Sequence, residues 1–180
     1  MLSLPSLVVR FLQHSSVLIN NAGISGDTPQ EALKSSIENF KNVMEVNLYG
    51  VVRTTQTFMD LLKKSSAPRI VNFSTSVGSL TLQSNPTWFA YDYGKYGVYG
   101  SSKAAVNMFT VHLAYELRDT NFKVNAVCPG YTKTDFTGHN GGEIEEAGKR
   151  VMKYAIIGED GPTGKFFSEE TNAETGEIPW

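Results

Sequence analysis

The sequence predicts an α/β domain with a parallel sheet, and three observations lead there. Short apolar runs alternate with long stretches of helical periodicity. The apolar runs are nearly unbroken, as in strands covered on both faces. The polar sequences "NNAG", "STSVG" and "CPGYTKT" each follow such a run, on the edge where parallel sheets bind ligands.

The first strand is read in "SVLINNAG", from Val17 to Asn20, and ends in a turn at Asn21 and Gly23. A polar stretch, Ser25 to Ser36, precedes a long helix. Along it Ile37, Phe40, Met44, Leu48, Val51, Thr55, Phe58 and Leu62 recur at steps of three or four and form one face, with Asn47 and Gly50 inside the helix. "RIVNFST" is the second strand, Arg69 to Ser74. Gly78 to Gly97, rich in Ser, Thr, Asn, Pro and Gly, reads as a loop. The second long helix runs from about Val98 to Leu117, with Ala105, Met108, Phe109, Leu113 and Leu117 on one face. "FKVNAVCPG" is a third strand, stopped by Pro129 and Gly130. A helix is expected over Glu143 to Ala155, acidic at its start and basic later, as the helix dipole favours. "TGKFFS" is a last short strand, and Glu169 to Trp180 reads as a surface tail.

Composition narrows the function classes. The 180 residues suffice for one domain, and 41 % hydrophobic with 19 % charged residues is an ordinary globular mix. Net charge is −2 with no basic block, so nucleic acid is not expected as a partner. One cysteine, Cys128, leaves no internal disulfide and no sign of an oxidising compartment, so a cytoplasmic protein is expected. The three histidines are scattered without metal-site spacing. No apolar run approaches a membrane span of about 20 residues. "MLSLPSLVVRFLQ" lacks a basic leading region and carries Arg10, so it reads as an amphipathic lead-in to the first strand rather than a signal peptide.

Chemistry concentrates in "VYGSSKAAVNMF", where Tyr99 and Lys103 stand four residues apart. On a helix that is one turn, a rise of about 6 Å on one face. A free phenol has a pKa near 10, and a neighbouring ammonium lowers it. Tyr99 could then give a proton to a carbonyl oxygen, or take one from an alcohol, at neutral pH. The spacing alone is also what two unrelated surface residues look like. Tyr91 and Lys95 repeat it within the predicted loop, where it does not guarantee a shared face.

The surrounding motifs add a resemblance. "NNAG" (Asn20 to Gly23), "NLYG" (Asn47 to Gly50), "RIVNFSTSVGS" (Arg69 to Ser79), "YGSSK" (Tyr99 to Lys103), "CPGYTKT" (Cys128 to Thr134) and a late "DGPTGKFF" resemble the short-chain dehydrogenase/reductase family, of the carbonyl-reductase-like kind. The resemblance implies a Rossmann-like doubly wound sheet and hydride transfer between NADP, or NAD, and a small-molecule ketone, aldehyde or quinone. It makes Tyr99 the general acid/base and gives Lys103 two tasks, lowering the Tyr99 pKa and holding the nicotinamide ribose. It has Asn47 hold a relay water. Asn20, Ala22 and Gly23 would line the adenine-ribose side, with Asn20 tying strands. Pro129, Gly130, Thr132 and Thr134 would sit against the nicotinamide, a plain loop role for the two threonines standing beside this. The two long helices would build a homodimer.

Two departures from the family pattern stand out. The position three residues before Gly78 usually holds a substrate-orienting serine; here it is Thr75, flanked by Ser74 and Ser76. A threonine hydroxyl can still donate to a carbonyl oxygen, and neighbours on an extended strand point to opposite faces. Secondly, no Gly-rich phosphate-binding pattern precedes "NNAG". The expectation is a single partial domain, residues 1–180, N-terminally truncated with about four strands remaining and the strand ending at Asn20 on an open edge. The first reading is a carbonyl reductase. The alternative is a non-catalytic fragment or isoform unable to hold cofactor, and a third is an epimerase-like relative that also uses Tyr and Lys. Little or no activity is expected of the chain as written.

Overall fold

The computed structural model describes residues 16–180, and the lead-in "MLSLPSLVVRFLQ" lies outside them. Four strands, β1 (Val17–Asn20), β2 (Arg69–Phe73), β3 (Lys123–Val127) and β4 (Lys165–Phe167), form one sheet in chain order. Every neighbouring pair is parallel, with Asn20 beside Asn72 and Asn72 beside Ala126. The expected parallel sheet of four strands is therefore the one observed, and among the described residues β1 is an edge.

Alternation along the strands makes two covered faces. Leu18, Ile70 and Val124 meet α2 (Gly50–Leu62) and α4 (Gly97–Glu116) through Phe58, Leu62, Phe109 and Leu113. On the other face Val17, Val71, Val127 and Phe167 pack under α5 (Ile144–Ala155) through Val151, Tyr154 and Ala155. Helices on both sides make the sheet Rossmann-like.

The first long helix differs from its expected face. It comprises α1 (Ile37–Met44), a π turn (Glu45–Tyr49) and α2. Its buried side is Asn39, Val43, Asn47, Val51, Thr55 and Leu62, whereas Ile37 is 71 % exposed and Phe40, Met44 and Leu48 are only half-buried. The π turn accommodates one extra residue and rotates the helix, so that steps of four stay on one side and Asn47 faces inward. Asn39 is buried because it clamps the preceding loop, accepting from Asp27 N at 2.9 Å and donating to Asp27 O at 2.7 Å.

Helix α4 also departs from the expected stripe. Met108 is 55 % exposed, and the buried side is Val98, Ser102, Lys103, Val106, Asn107, Thr110, Leu113 and Ala114. Polar residues go inward because each finds a partner. One chain of bonds ties the sheet to both helices: Asn20 Nδ2 donates to Thr55 Oγ1 (3.1 Å) and Asn72 Oδ1 (2.8 Å), and Asn72 Nδ2 donates to Thr110 Oγ1 (2.9 Å).

The predicted loop between β2 and α4 contains a short helix α3 (Leu80–Gln83) and a 3₁₀ turn (Tyr91–Lys95). The expected surface tail is corrected as well. Ile178 is buried, its N–H bonds Phe166 O at 2.9 Å, and Trp180 stacks on Phe166. Apolar Ile178 and Trp180 cover the outer edge of β4, which the polar composition of the segment hid.

Asn72 is fully buried, and removing its amide leaves Asn20 Nδ2 with Thr55 alone and takes from Thr110 Oγ1 its donor. Asn72→Ala is expected to cost about 1–3 kcal/mol in urea denaturation. Asn72→Ala unfolding at the original midpoint would show that the chain of bonds contributes nothing net.

Candidate active site

Parallel strands end on one side, and the residues singled out by the sequence converge there: Asn20 at the end of β1, Thr75 just beyond β2, and Cys128 with Pro129 beyond β3. Helix α4 enters the same edge with its first turn. That turn has no side-chain cap of its own; instead the buried Gln30 Oε1 accepts from Tyr99 N at 3.1 Å. Tyr99 is half-buried under Phe136, ring centroids 5.4 Å apart.

Lys103 is 3 % exposed and donates to Phe73 O, the last residue of β2, at 2.9 Å. Its Nζ lies 5.8 Å from the centre of the Tyr99 ring, so the predicted i,i+4 pair shares one face. The decoy pair Tyr91 and Lys95 lies exposed on the 3₁₀ turn.

The electrostatics correct one expectation. Burial pushes the Tyr99 phenol above its ordinary value, and Cys128 acts in the same direction. The ammonium lies over the ring and is itself weakened. Burial pushes Lys103 down to about 8, partly opposed by Cys128. Desolvation here outweighs the pairing.

Asn47 closes the site from below. Its Oδ1 accepts from Ile24 N at 2.8 Å, and its Nδ2 donates to Ile24 O (2.9 Å) and Ser102 Oγ (2.9 Å). Ser102 Oγ passes the connection on to Tyr99 O at 2.7 Å. A Cβ on Gly23 would stand 3.3 Å from Asn47 Oδ1 and 3.4 Å from Lys103 Nζ, so Gly23, Asn47 and Lys103 form one cluster. Ala22 is exposed at the rim. Asn20 is turned inward, in the chain of bonds that ties the strands.

Of the three hydroxyls near the end of β2, Ser74 is buried and bonded to Asn107 Oδ1 at 2.6 Å, and Ser76 is buried. Thr75 is half-buried, and its Oγ1 accepts from Val77 N at 3.4 Å. Its hydroxyl proton has no acceptor among the described residues. Gly78 fixes this segment against α4, because a Cβ there would meet Lys103 Cβ at 2.9 Å and its backbone at 3.0 Å.

Beyond β3, Pro129 O accepts from Arg150 Nη1 at 2.9 Å and Gly130 adopts φ +89°. Thr132 and Thr134 are half-buried and belong to a knot around Thr137, whose Oγ1 donates to Thr132 O at 2.6 Å and accepts from Thr134 N at 3.1 Å. The knot holds the turn that bears Phe136. Sequence reasoning missed Ser102, Asn107 and Gln30. The first two stand one turn from Tyr99 and Lys103 on their buried side, a spacing that could have flagged them; Gln30 carries no such signal. Among the described residues no cluster of His, Cys, Asp and Glu could hold a metal, and no helix is long and apolar enough to cross a membrane.

Comparisons with known proteins place this fold among its relatives. The short chain dehydrogenase profile matches residues 6–144. (+)-Neomenthol dehydrogenase of Capsicum annuum is 28 % identical, the match covering 92 % of this chain and 73 % of that one. Salutaridine reductase of Papaver bracteatum is 30 % identical over 77 % of this chain, yet only 54 % of its own length is spanned. An NADPH-bound carbonyl reductase from chicken fatty liver superposes with a TM-score of 0.78 at 25 % identity, covering 98 % of this chain and 70 % of that one.

Lys103 generates a pH prediction. Its folded pKa of about 8 lies below the ordinary 10.5, so between those values the unfolded chain binds the additional proton. Stability therefore rises with pH across that window, and the burial penalty is present in full below it. Lys103→Met is expected to flatten the rise in denaturation measurements between those pH values. A slope identical to that of the unsubstituted protein would contradict a buried, desolvated ammonium.

Proposed function

The chain belongs to the short-chain dehydrogenase family, and on that premise we propose that the protein reduces a ketone, aldehyde or quinone to an alcohol with NADPH or NADH. The observation that carries the reading is the phenol of Tyr99 and the ammonium of Lys103 on one helical turn, at the strand ends, beside Gly23 and Asn47.

The residues fit a nicotinamide nucleoside. Lys103 is a buried ammonium that commits one N–H to Phe73 O, and the missing Cβ of Gly23 leaves space beside it. Its remaining donors suit a ribose diol. Lys103 and Gly23 would hold that ribose, Asn20 and Ala22 would flank the adenine-ribose side, and Pro129, Gly130, Thr132 and Thr134 would border the nicotinamide. Held by these residues, a nicotinamide cofactor would supply the hydride for the carbonyl carbon.

The other steps belong to side chains. Thr75 Oγ1 donates a hydrogen bond to the carbonyl oxygen and orients it. Tyr99 Oη then transfers its proton to that oxygen as negative charge develops there. A raised phenol pKa keeps Tyr99 protonated, the form reduction requires. Lys103 stabilises the resulting phenolate, and Asn47, already bonded to Ser102, holds the water through which the proton is replaced. Phe136 over the Tyr99 ring excludes solvent from the transfer.

Residues 1–180 are read as a single domain of this family. Exposed Ile37, Tyr49, Met108 and Tyr115 on the two long helices support association of two copies through them. The cluster of Tyr99, Lys103 and Gly23 supports this reading over the little or no activity expected from the sequence, and the titration that follows decides between it and a chain that does not hold the cofactor.

Purified protein titrated with NADPH and NADH, followed by the fluorescence of Trp88 and Trp180, is expected to saturate with a Kd below about 100 μM, near −5.5 kcal/mol. Tyr99→Phe should lower kcat for ketone reduction by roughly 10²–10⁴-fold, as loss of a general acid does, with cofactor Kd little changed. Absence of saturable binding, or full turnover by Tyr99→Phe, would sink this mechanism.

A further inference from the structure

We propose that Pro179 and Trp180 are positioning residues for the segment that bears Thr75, strapping it to β4; the proposal rests on the reductase reading given above. The strap starts on the sheet. Ser168 N bonds Gly176 O at 2.7 Å and Ile178 N bonds Phe166 O at 2.9 Å, so the chain runs antiparallel along the outer edge of β4. Lys165 and Glu177 pair across it at 2.7 Å. The Trp180 ring lies on Phe166, centroids 5.3 Å apart and planes 17° from parallel.

From there the chain reaches the loop. Ser79 Oγ donates to Pro179 O at 2.7 Å, and Thr81 N donates to the main-chain oxygen of Trp180 at 3.0 Å. Leu82 and Trp180 pack together against the buried cluster of Ala126, Cys128, Phe166 and Ile178. Ser79 is fully buried and works twice, since its Oγ also accepts from Leu82 N at 3.1 Å as the cap of α3.

On its other side the same segment is fixed by α4. Gly78 lies against the Lys103 backbone, and Gly78 O accepts from Asn107 Nδ2 at 3.1 Å. Thr75 to Leu82 is thus held between two supports. Helix α4 sets its distance from Tyr99 and Lys103, and the strap sets where it goes next. Four residues make α3 too short to hold a fixed direction by itself. With the strap released, the segment samples other positions, and the fraction competent to receive a carbonyl compound falls. Apparent substrate affinity falls by that fraction, while cofactor contacts on the far side of Lys103 do not change.

Hydrogen exchange tests this independently of turnover. Trp180→Ala is expected to speed exchange at Thr81 and Leu82 by about tenfold or more, leaving Val71 and Val124 in the sheet unchanged. Trp180→Phe, which keeps a stacked ring, should restore protection. Ser79→Ala leaves Trp180 in place and should raise exchange at Ile178, because the coupling is reciprocal. In steady-state assays Trp180→Ala should raise KM for a ketone by about fivefold or more, with kcat and NADPH Kd nearly constant. Unchanged exchange at Thr81, or acceleration spread equally over β2 and β3, would overturn the strap. If the unsubstituted protein turns over no carbonyl compound, the reductase reading fails, and the exchange pattern still decides whether the strap positions the segment.

Discussion

Helix α4 buries a polar face, and the rest of the molecule is arranged to meet that constraint. A buried hydroxyl, amide or ammonium without a partner is costly, so each one dictates where a neighbour must stand. Thr110 requires the Asn72 amide, which in turn fixes Asn20 and Thr55. Asn107 takes Ser74 and the Gly78 carbonyl. Ser102 takes Asn47, and Lys103 takes the carbonyl that ends β2. The helix therefore specifies the ends of two strands and the inward turn of a second helix. It does so with directional bonds, which permit one arrangement where apolar contact alone would permit several.

The same arrangement accounts for the electrostatics. A site dry enough to make short hydrogen bonds is also one that resists charge. Tyr99 is held neutral and Lys103 is brought to the margin of neutrality by the same loss of water. Asn47 shows how the backbone contributes: a π turn, which weakens the regular helix, turns this amide toward Ile24 and Ser102.

The four strands, the helical crossovers and the pairing of Tyr99 with Lys103 were legible in the sequence. Runs of Val and Ile, and a four-residue spacing, report local geometry directly. What stayed hidden has a common cause. Hydrophobic periodicity places Ile37 and Met108 inside and leaves Asn39, Ser102 and Thr110 neutral, whereas the structure reverses them. Burial of a polar residue depends on partners distant in sequence: Asn72 and Thr110 are 38 residues apart, Asn47 and Ser102 are 55. No local pattern encodes those pairs. The segment ending at Trp180 was misread for the same reason, because its value lies in Phe166 and Ser79. The resemblance supplied roles for Asn47 and Thr75 that spacing alone does not carry.

The order of the sheet has a consequence for how the molecule is built. Each strand pairs with the strand that follows it in the chain, β1 with β2, β2 with β3 and β3 with β4. Among the described strands none waits for a partner made much later, and none must be inserted between two already joined. A chain emerging from the ribosome can lay down one βα unit on the last, which keeps unpaired edges short-lived and limits the aggregation they invite. The cluster at the strand ends follows the same order along the chain, Asn47 preceding Lys103, so the helix that carries Asn47 can be laid down before α4.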